Sequence, residues 1–458
     1  MPHHDLVIIG SGSGNSLVTP ELDDWDIALV EENTSWFGGT CLNVGCIPTK
    51  MYVYPADLAE NAAHPERLGL SPGVVSVDWP AIRDRIFGRI DAISAGGREY
   101  RRTGSPNVTL YETHAEFSDS GEPRTLQLGT GETLTADHVV IAAGSRAMVP
   151  EMVIESGVPF HTSDTIMRLP ELPESIVIVG GGYIAAEFAH IFSAFGTHTT
   201  VLARSGLLHD QDHEIADRFT DLVREKWHLR VGTHPVGFSH SGSGVRVELA
   251  DDGSVEADVL LVATGRIPNG DRLAAKYAGV ELRADGRVKV DSYQRTTAEN
   301  IWALGDVSST HQLKHVANHE ARVVAHNLAH PDDLVESDHR FVPSAVFTHP
   351  QLASVGITED AAKMYNRPYV SVTQEYGSTA YGWAMVDTTS VCKLLADPAT
   401  GQLIGAHLMG EQASTLIQPL IQAMSFGLGV QEMARGQYWI HPALTEVVEN
   451  ALLALKLP

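Results

Sequence analysis

The chain has 458 residues, 43% of them hydrophobic, and its 32 lysines and arginines stand against 57 acids for a formal net charge of −25. That length suits two to four domains, each able to bury a core, and the charge argues against nucleic acid or an anionic membrane as the main partner, so an anionic ligand must find local cations. No run approaches the ~18 uninterrupted apolar residues of a membrane helix, no leader pattern precedes the first strand, and three cysteines fit a reducing compartment; a soluble, cytoplasmic protein is expected.

Residues 6–10 read as a buried strand running into a glycine turn at Gly10, Gly12 and Gly14, followed by a short helix and a second strand, Ile27–Val30, that ends on Glu31. This is a βαβ unit for a dinucleotide: the glycines let backbone approach a pyrophosphate, a helix N-terminus favours its charge, and a carboxylate about 20 residues on holds a ribose hydroxyl. Asn15 stands where a third glycine is expected, and Pro20 allows only a truncated crossover helix. The turn should survive, with looser helix packing.

Cys41 and Cys46 follow in GGTCLNVGCIPTK, residues 38–50. Two thiols close behind a dinucleotide turn point to redox chemistry. A five-residue step in a regular helix rises about 7.5 Å, beyond the ~7 Å Cα limit of a disulfide, so the segment must leave helical geometry before the thiols can bridge. Gly45 and Pro48 permit that. Structural zinc wants four ligands at closer spacing, and only Cys392 remains, so no metal is expected. The other reading, two buried core thiols, suits a run flanked by glycine and proline less well.

Residues 78–103 read as a helix with Ile82, Ile86, Ile90 and Ile93 as a core stripe. Two apolar runs, 139–144 and 260–265, end in Gly144 and Gly265 and read as strands leading into crossings between domains. Between them lies a second dinucleotide unit, with a strand over 176–179, a turn at Gly180, Gly181 and Gly182, a helix opening on Tyr183 and Ile184 and carrying Glu187, and a strand over 199–202. Arg204 stands beyond that strand where an acid would hold a ribose; a guanidinium there favours a 2′-phosphate, hence NADP over NAD. Another buried strand runs from Ile301 through Gly305 to end on Asp306. Beyond about residue 340 short strands and helices mix in an α+β pattern, where Cys392 packs as a small hydrophobe. The fold class is therefore α/β, with two Rossmann-like dinucleotide-binding domains and a C-terminal α+β domain.

The order of the glycine turn, GGTCLNVGCIPTK at 38–50, AAGSR at 142–146, GGGYIAAE at 180–187, ATGRIPN at 263–269, WALGDV at 302–307 and HPALTE at 441–446 resembles the pyridine nucleotide-disulfide oxidoreductases, the glutathione reductase and dihydrolipoamide dehydrogenase family, over essentially the whole chain. The resemblance implies FAD and NADPH as cofactors, with 1–148 and 270–338 binding FAD, 149–269 binding NAD(P), and 339–458 forming a dimerisation domain. Gly10, Gly12, Gly14 and Glu31, or Glu32 in its place, would hold the adenosine and pyrophosphate of FAD, with Gly39, Thr40, Gly144, Gly305 and Asp306 completing the site. Cys46 would exchange electrons with the flavin while Cys41 attacks a substrate disulfide, and Lys50 would sit near the flavin, paired with Glu187. Gly180, Gly182, Tyr183, Ile184, Arg204 and Gly265 would line the nicotinamide dinucleotide, Tyr183 as an aromatic lid; family NADP enzymes carry a second arginine where this chain offers His209.

His441, oriented by Glu446, would be the general acid and base, reaching the cysteines of a partner subunit and so requiring a homodimer. The chemistry asks for such a group independently, because an imidazole near its ordinary pKa of ~6.5 gives and retakes a thiol proton at neutral pH. Residues 313–324, 380–385 and 436–444 most resemble the branch of the family that acts on mycothiol disulfide. A neutral, hydroxyl-rich disulfide also suits a chain that offers Tyr52, Tyr54 and Asp57 after the cysteines, and Trp383 and Trp439 further on, better than anionic glutathione disulfide does. NAD-linked dihydrolipoamide dehydrogenase and a non-catalytic flavoprotein docking component are the alternatives.

Overall fold

The computed structural model describes residues 1–73 and 76–457. The strand His3–Ile9 buries Leu6, Val7 and Ile8 completely, and a strand apolar on both faces belongs inside a covered parallel sheet. It lies between Ile27–Val30 and Thr133–Ile141, both parallel to it, with Ile8 opposite Leu29 on one side and Val140 on the other. Ile301–Ala303 pairs in parallel with the end of Thr133–Ile141. The carboxyl edge of this sheet thus collects the turn at Gly10, Glu31 and the loops at Ala142 and Gly305, the edge where α/β sheets bind ligands.

The crossover after Gly14 contains no α-helix, only the 3-10 turns Ser13–Leu17 and Pro20–Leu22. Its packing is tight, against the looser packing expected. A Cβ at Gly14 would meet Ala142 Cβ at 2.8 Å and Ile8 Cγ2 at 2.9 Å, so Gly14 makes the close contact usually left to the third glycine of the pattern. Asn15 accepts from Arg101 Nε on its Oδ1 at 2.8 Å.

The second unit is a parallel sheet in the order His228–Val231, His198–Ala203, Ser175–Val179, Val259–Val262, with the meander Pro235–Ser241, Gly244–Leu249 and Ser254–Ala257 beside it. The two chain passes joining it to the first unit run together, Ser145–Ala147 pairing antiparallel with Arg266–Pro268. The C-terminal part is a five-stranded antiparallel sheet, Ser344–Val346, Gln351–Gly356, Leu403–Gly410, Val391–Ala396 and Val370–Glu375 in spatial order, with the helix Thr445–Ala454 packed into its core through Val447, Val448, Ala451 and Leu452. Cys392 is wholly buried there, and burial pushes its thiol up to about 12.

Four helices frame the cysteines. Residues 39–63 split into Gly39–Asn43 and Cys46–Ala63, so the expected departure from helical geometry falls between the thiols. Gly45 makes it, at φ −133° and ψ −121°, and a Cβ on it would stand 2.9 Å from the Thr40 carbonyl oxygen. Pro48 lies instead in the first turn of the second helix, where its missing N–H costs nothing. The helix Trp79–Glu99 buries Ile86, Phe87, Ile90 and Ser94, with Ile93 left 48% exposed at the margin of that face; Ile93 is not core as its spacing suggests. Trp79 stacks on Tyr52 at 4.8 Å and on Phe192 at 5.6 Å, tying the cysteine-bearing helix to Tyr183–Ala194. Tyr52 is fully buried with its hydroxyl donated to the Met167 carbonyl at 2.7 Å, so it serves packing and presents nothing to a substrate. Among the described residues no helix is long and apolar enough to cross a membrane.

Candidate active site

A cleft at the carboxyl edge of the first sheet takes in the glycine turn, both cysteines and the start of Tyr183–Ala194. Gly10 has φ +110°, and a Cβ on it would stand 2.4 Å from the Ala142 oxygen; one on Gly39, at φ +80°, would stand 2.6 Å from Gly12 Cα. Backbone packed this closely, with no side chain at Gly10, Gly12 or Gly39, lets a phosphate approach the turn. Glu31 closes one end: its Oε2 accepts from the Ser11 amide at 2.8 Å and the Ser11 hydroxyl at 2.6 Å, and its Oε1 from the Asn33 amide at 2.8 Å. Oε1, with one donor, keeps capacity for a ribose hydroxyl. Ser11 Oγ also accepts from the Gly38 amide at 3.0 Å, fastening the turn to the cysteine segment. Glu32 is committed to Arg272 at 2.6 Å and His114 at 2.9 Å on the rim, which leaves Glu31 as the acid of the turn.

Further along, Asp306 Oδ2 accepts from Ser145 Oγ at 2.6 Å, and Ser145 Oγ accepts from Arg266 Nε at 2.8 Å. The other Asp306 oxygen is left for a ligand hydroxyl. Sequence reasoning misses Ser145 and Arg266 as site residues, although they stand inside the AAGSR and ATGRIPN motifs; a polar residue directly after each crossing glycine is the available signal. Thr40, Gly144 and Gly305 line the same cleft.

The two thiols lie within hydrogen-bonding reach of each other, Cys41 on the helix Gly39–Asn43 and Cys46 at the start of Cys46–Ala63. The Cys41 thiol donates to Cys46, and with the Lys50 ammonium this overcomes burial and brings Cys46 down to about 7. The same hydrogen bond, then burial, drives Cys41 upward. The proton therefore rests on Cys41 and the charge on Cys46. Lys50 Nζ donates to both Glu187 oxygens at 2.7 Å, and Glu187, buried, also accepts from the Phe347 amide at 3.0 Å. Lys50 Nζ lies 4.6 Å from the centre of the Phe347 ring.

The second turn repeats the first. Gly180 has φ +147°, and a Cβ there would stand 2.2 Å from the Ala263 oxygen, while Gly182 faces open space before the helix Tyr183–Ala194. Tyr183, 42% exposed, lines the first cleft with Ile184 and Glu187. Gly180, Gly182, Gly265 and Arg204 lie outside that cleft; Arg204 is exposed just past the strand His198–Ala203, and His209 pairs with Asp210 at 3.2 Å.

His441 Nδ1 is 2.7 Å from Glu446 Oε1, and this hydrogen bond holds the Glu446 carboxyl below its ordinary range. The imidazole is 71% exposed and flanked by the exposed Tyr438 and Ile440. Neither His441 nor Glu446 lines the cleft of its own chain.

Residues 4–321 match the family described as pyridine nucleotide-disulphide oxidoreductase, and residues 342–452 match the dimerisation domain of that family. The chain is 52% identical over 463 residues to the mycothione reductase of Mycobacterium tuberculosis, covering all of both chains, and 31% identical to the dihydrolipoyl dehydrogenase of Mycobacterium leprae, covering 99% of this chain and 98% of that one. The solved structure of the HOCl-induced flavoprotein disulfide reductase RclA from Escherichia coli superposes with a TM-score of 0.85 at 28% identity, covering 99% of this chain and 100% of the other. A cradle for a dinucleotide, a thiol pair beside it, and these likenesses along the full length agree: the chain belongs to the pyridine nucleotide-disulphide oxidoreductase family, as a flavoprotein disulfide reductase whose family implies FAD and NADPH as cofactors and whose C-terminal part is a dimerisation domain.

Proposed function

We propose that this enzyme reduces mycothiol disulfide to two molecules of mycothiol with NADPH, through a redox disulfide between Cys41 and Cys46. The observation that carries this reading is the Cys41 and Cys46 pair, hydrogen-bonded and backed by Lys50 and Glu187 at the end of a dinucleotide cradle. Gly10, Gly12, Gly14, Gly39, Thr40, Gly144 and Gly305 would hold FAD along its phosphates, Glu31 its ribose and Asp306 its ribityl chain. When bound, FAD accepts hydride from the nicotinamide and supplies the electron pair that opens the disulfide.

Reduction leaves a thiol on Cys41 and a thiolate on Cys46. A base must take the Cys41 proton before that sulfur attacks, and we assign this to the partner subunit's His441, whose Nδ1 is held by Glu446 so that Nε2 is free to accept. Cys41 sulfur then bonds to one half of the substrate disulfide as the S–S bond breaks, and the leaving half takes the proton back from His441. The Cys46 thiolate attacks Cys41 sulfur, re-forms the protein disulfide and expels the second half, which takes a proton from water.

Support for the substrate is the 52% identity to a mycothione reductase, the overall charge of −25, and the exposure of Tyr54 and Trp383, which suit sugar hydroxyls and faces. The test is an assay against mycothiol disulfide, glutathione disulfide and lipoamide with each nicotinamide. Mycothiol disulfide should show kcat/KM at least about a hundredfold above glutathione disulfide, a gap of about 2.7 kcal/mol. Comparable turnover of glutathione disulfide, or better turnover of lipoamide with NAD, would remove mycothiol as the substrate. In the same assay Arg204→Ala should lower kcat/KM for NADPH by about ten- to a hundredfold, the value of a charge-assisted contact to phosphate, and leave NADH nearly unchanged. An equal loss with both would make Arg204 structural.

A further inference from the structure

We propose that Lys314 holds the pyrophosphate of the bound dinucleotide, in place of the helix N-terminus that the first crossover of this chain lacks. The inference rests on reading the cleft as the FAD site. In the usual unit a glycine turn opens an α-helix whose terminal amides and dipole face the phosphates. Here the turn opens only the five-residue 3-10 segment Ser13–Leu17, too short to build such a dipole. The anion must draw its positive charge from elsewhere.

Lys314 is placed to supply it. It begins the helix Lys314–Ala329, lines the cleft, and its Nζ donates to Ser13 Oγ, within the glycine turn, at 2.8 Å; Ser13 Oγ in turn donates to Asn318 Oδ1 at 3.1 Å on the same helix. The other lysines and arginines of the cleft are already paired: Lys50 with Glu187 at 2.7 Å, Arg146 with Asp271 at 2.8 Å, Arg272 with Glu32 at 2.6 Å, and Arg266 with Asp164 at 3.9 Å. Among the described residues Lys314 is the cleft lysine without a carboxylate partner. In a chain of net charge −25, a half-buried ammonium kept clear of carboxylates beside a phosphate turn is neutralised only when an anion arrives. The competing placement is the flavin ring, because the Lys314 charge also reaches Cys41. The direct bond to Ser13 favours the phosphates.

The test follows release of FAD from the full-length holoenzyme by the rise of flavin fluorescence on dilution, at increasing salt. Lys314→Met should release FAD about ten- to a hundredfold faster than the wild type, since a charge-assisted contact is lost, and Lys314→Arg should stay within a few-fold. Release from the wild type should quicken with salt more steeply than release from Lys314→Met, because screening acts on the pair that the variant lacks. Unchanged release in Lys314→Met overturns the proposal, and so does a variant that keeps its FAD but shifts the flavin midpoint potential, which would put the ammonium on the ring. A wild-type protein that purifies without flavin would overturn the assignment of the cleft itself.

Discussion

At Cys46 two donors of different kind stabilise one negative charge. The Cys41 thiol contributes most, and the Lys50 ammonium adds to it against the cost of burial. Cys46 therefore loses its proton near pH 7 instead of near its ordinary 9.0, and the thiolate dominates above that pH. In the two-electron-reduced enzyme, the long-wavelength absorbance of a thiolate beside oxidised flavin should rise with pH through a midpoint near 7 and fade below it. Lys50→Met should move that midpoint upward and Cys46→Ser should abolish the absorbance; a midpoint indifferent to Lys50 would detach the ammonium from the thiolate. These residues are legible in the sequence because their motif fixes both identity and spacing. Ser11, Ser145 and Lys314 are not, since each acquires its role from a partner far along the chain: Glu31, Asp306 and Ser13. Tyr52 misleads for the same reason; nothing near it in the chain announces Trp79, which stacks on it.

Two helices, Cys46–Ala63 and Tyr183–Ala194, are joined at two levels, by Lys50 with Glu187 and, further along both, by Asp57 with His190 at 2.7 Å. A short stretch of the C-terminal part touches both levels, the Phe347 amide on Glu187 and the His349 ring 4.0 Å from Asp57. Burial first, then the nearby Lys226 and His190, press His349 down to about 4, with Asp57 and Glu60 opposing. The folded protein thus keeps this imidazole neutral between about 4 and 6.5 while the unfolded chain protonates it. Stability is lost as pH falls through that window, by on the order of 3 kcal/mol at its foot. The denaturant midpoint of the wild type should drop between pH 7 and pH 5, and His349→Gln should flatten part of that drop; an identical slope would put the acid sensitivity on other groups. At this scale the strands are legible, because apolar runs between glycines leave little choice. The margin of the helix Trp79–Glu99 is not: its buried face is set by the Trp79 stack and by Ser94 Oγ, which donates to the Phe37 carbonyl at 2.8 Å, and spacing alone cannot anticipate either.

For the whole molecule, the proposed mechanism makes one chain half of a working site. The imidazole of His441 sits among exposed apolar neighbours and away from the cleft that holds the cysteines, in the part that matches a dimerisation domain. His441→Ala should slow the disulfide half of the reaction by about a hundredfold or more, while reduction by NADPH continues. Mixing inactive Cys41→Ser and His441→Ala subunits should restore activity, because each heterodimer assembles one site from an intact cysteine pair and an intact histidine. No recovery despite verified subunit exchange would place His441 in the site of its own chain. The two motifs are legible in a single chain, and the proposed meeting of His441 with the cysteines is not, because it needs a second copy.

The side-by-side passage of Ser145–Ala147 and Arg266–Pro268 makes everything between them an insert on a single stem. Its two ends already meet, but the insert is keyed into the rest of the chain, carrying Glu187 to Lys50 and Asp212 to Lys393. Under the role proposed for Arg204, preference between nicotinamides is set on this insert, just past the strand His198–Ala203, while the cysteine pair lies outside it. A change at Arg204 would then alter the source of electrons while leaving the cysteine pair in place.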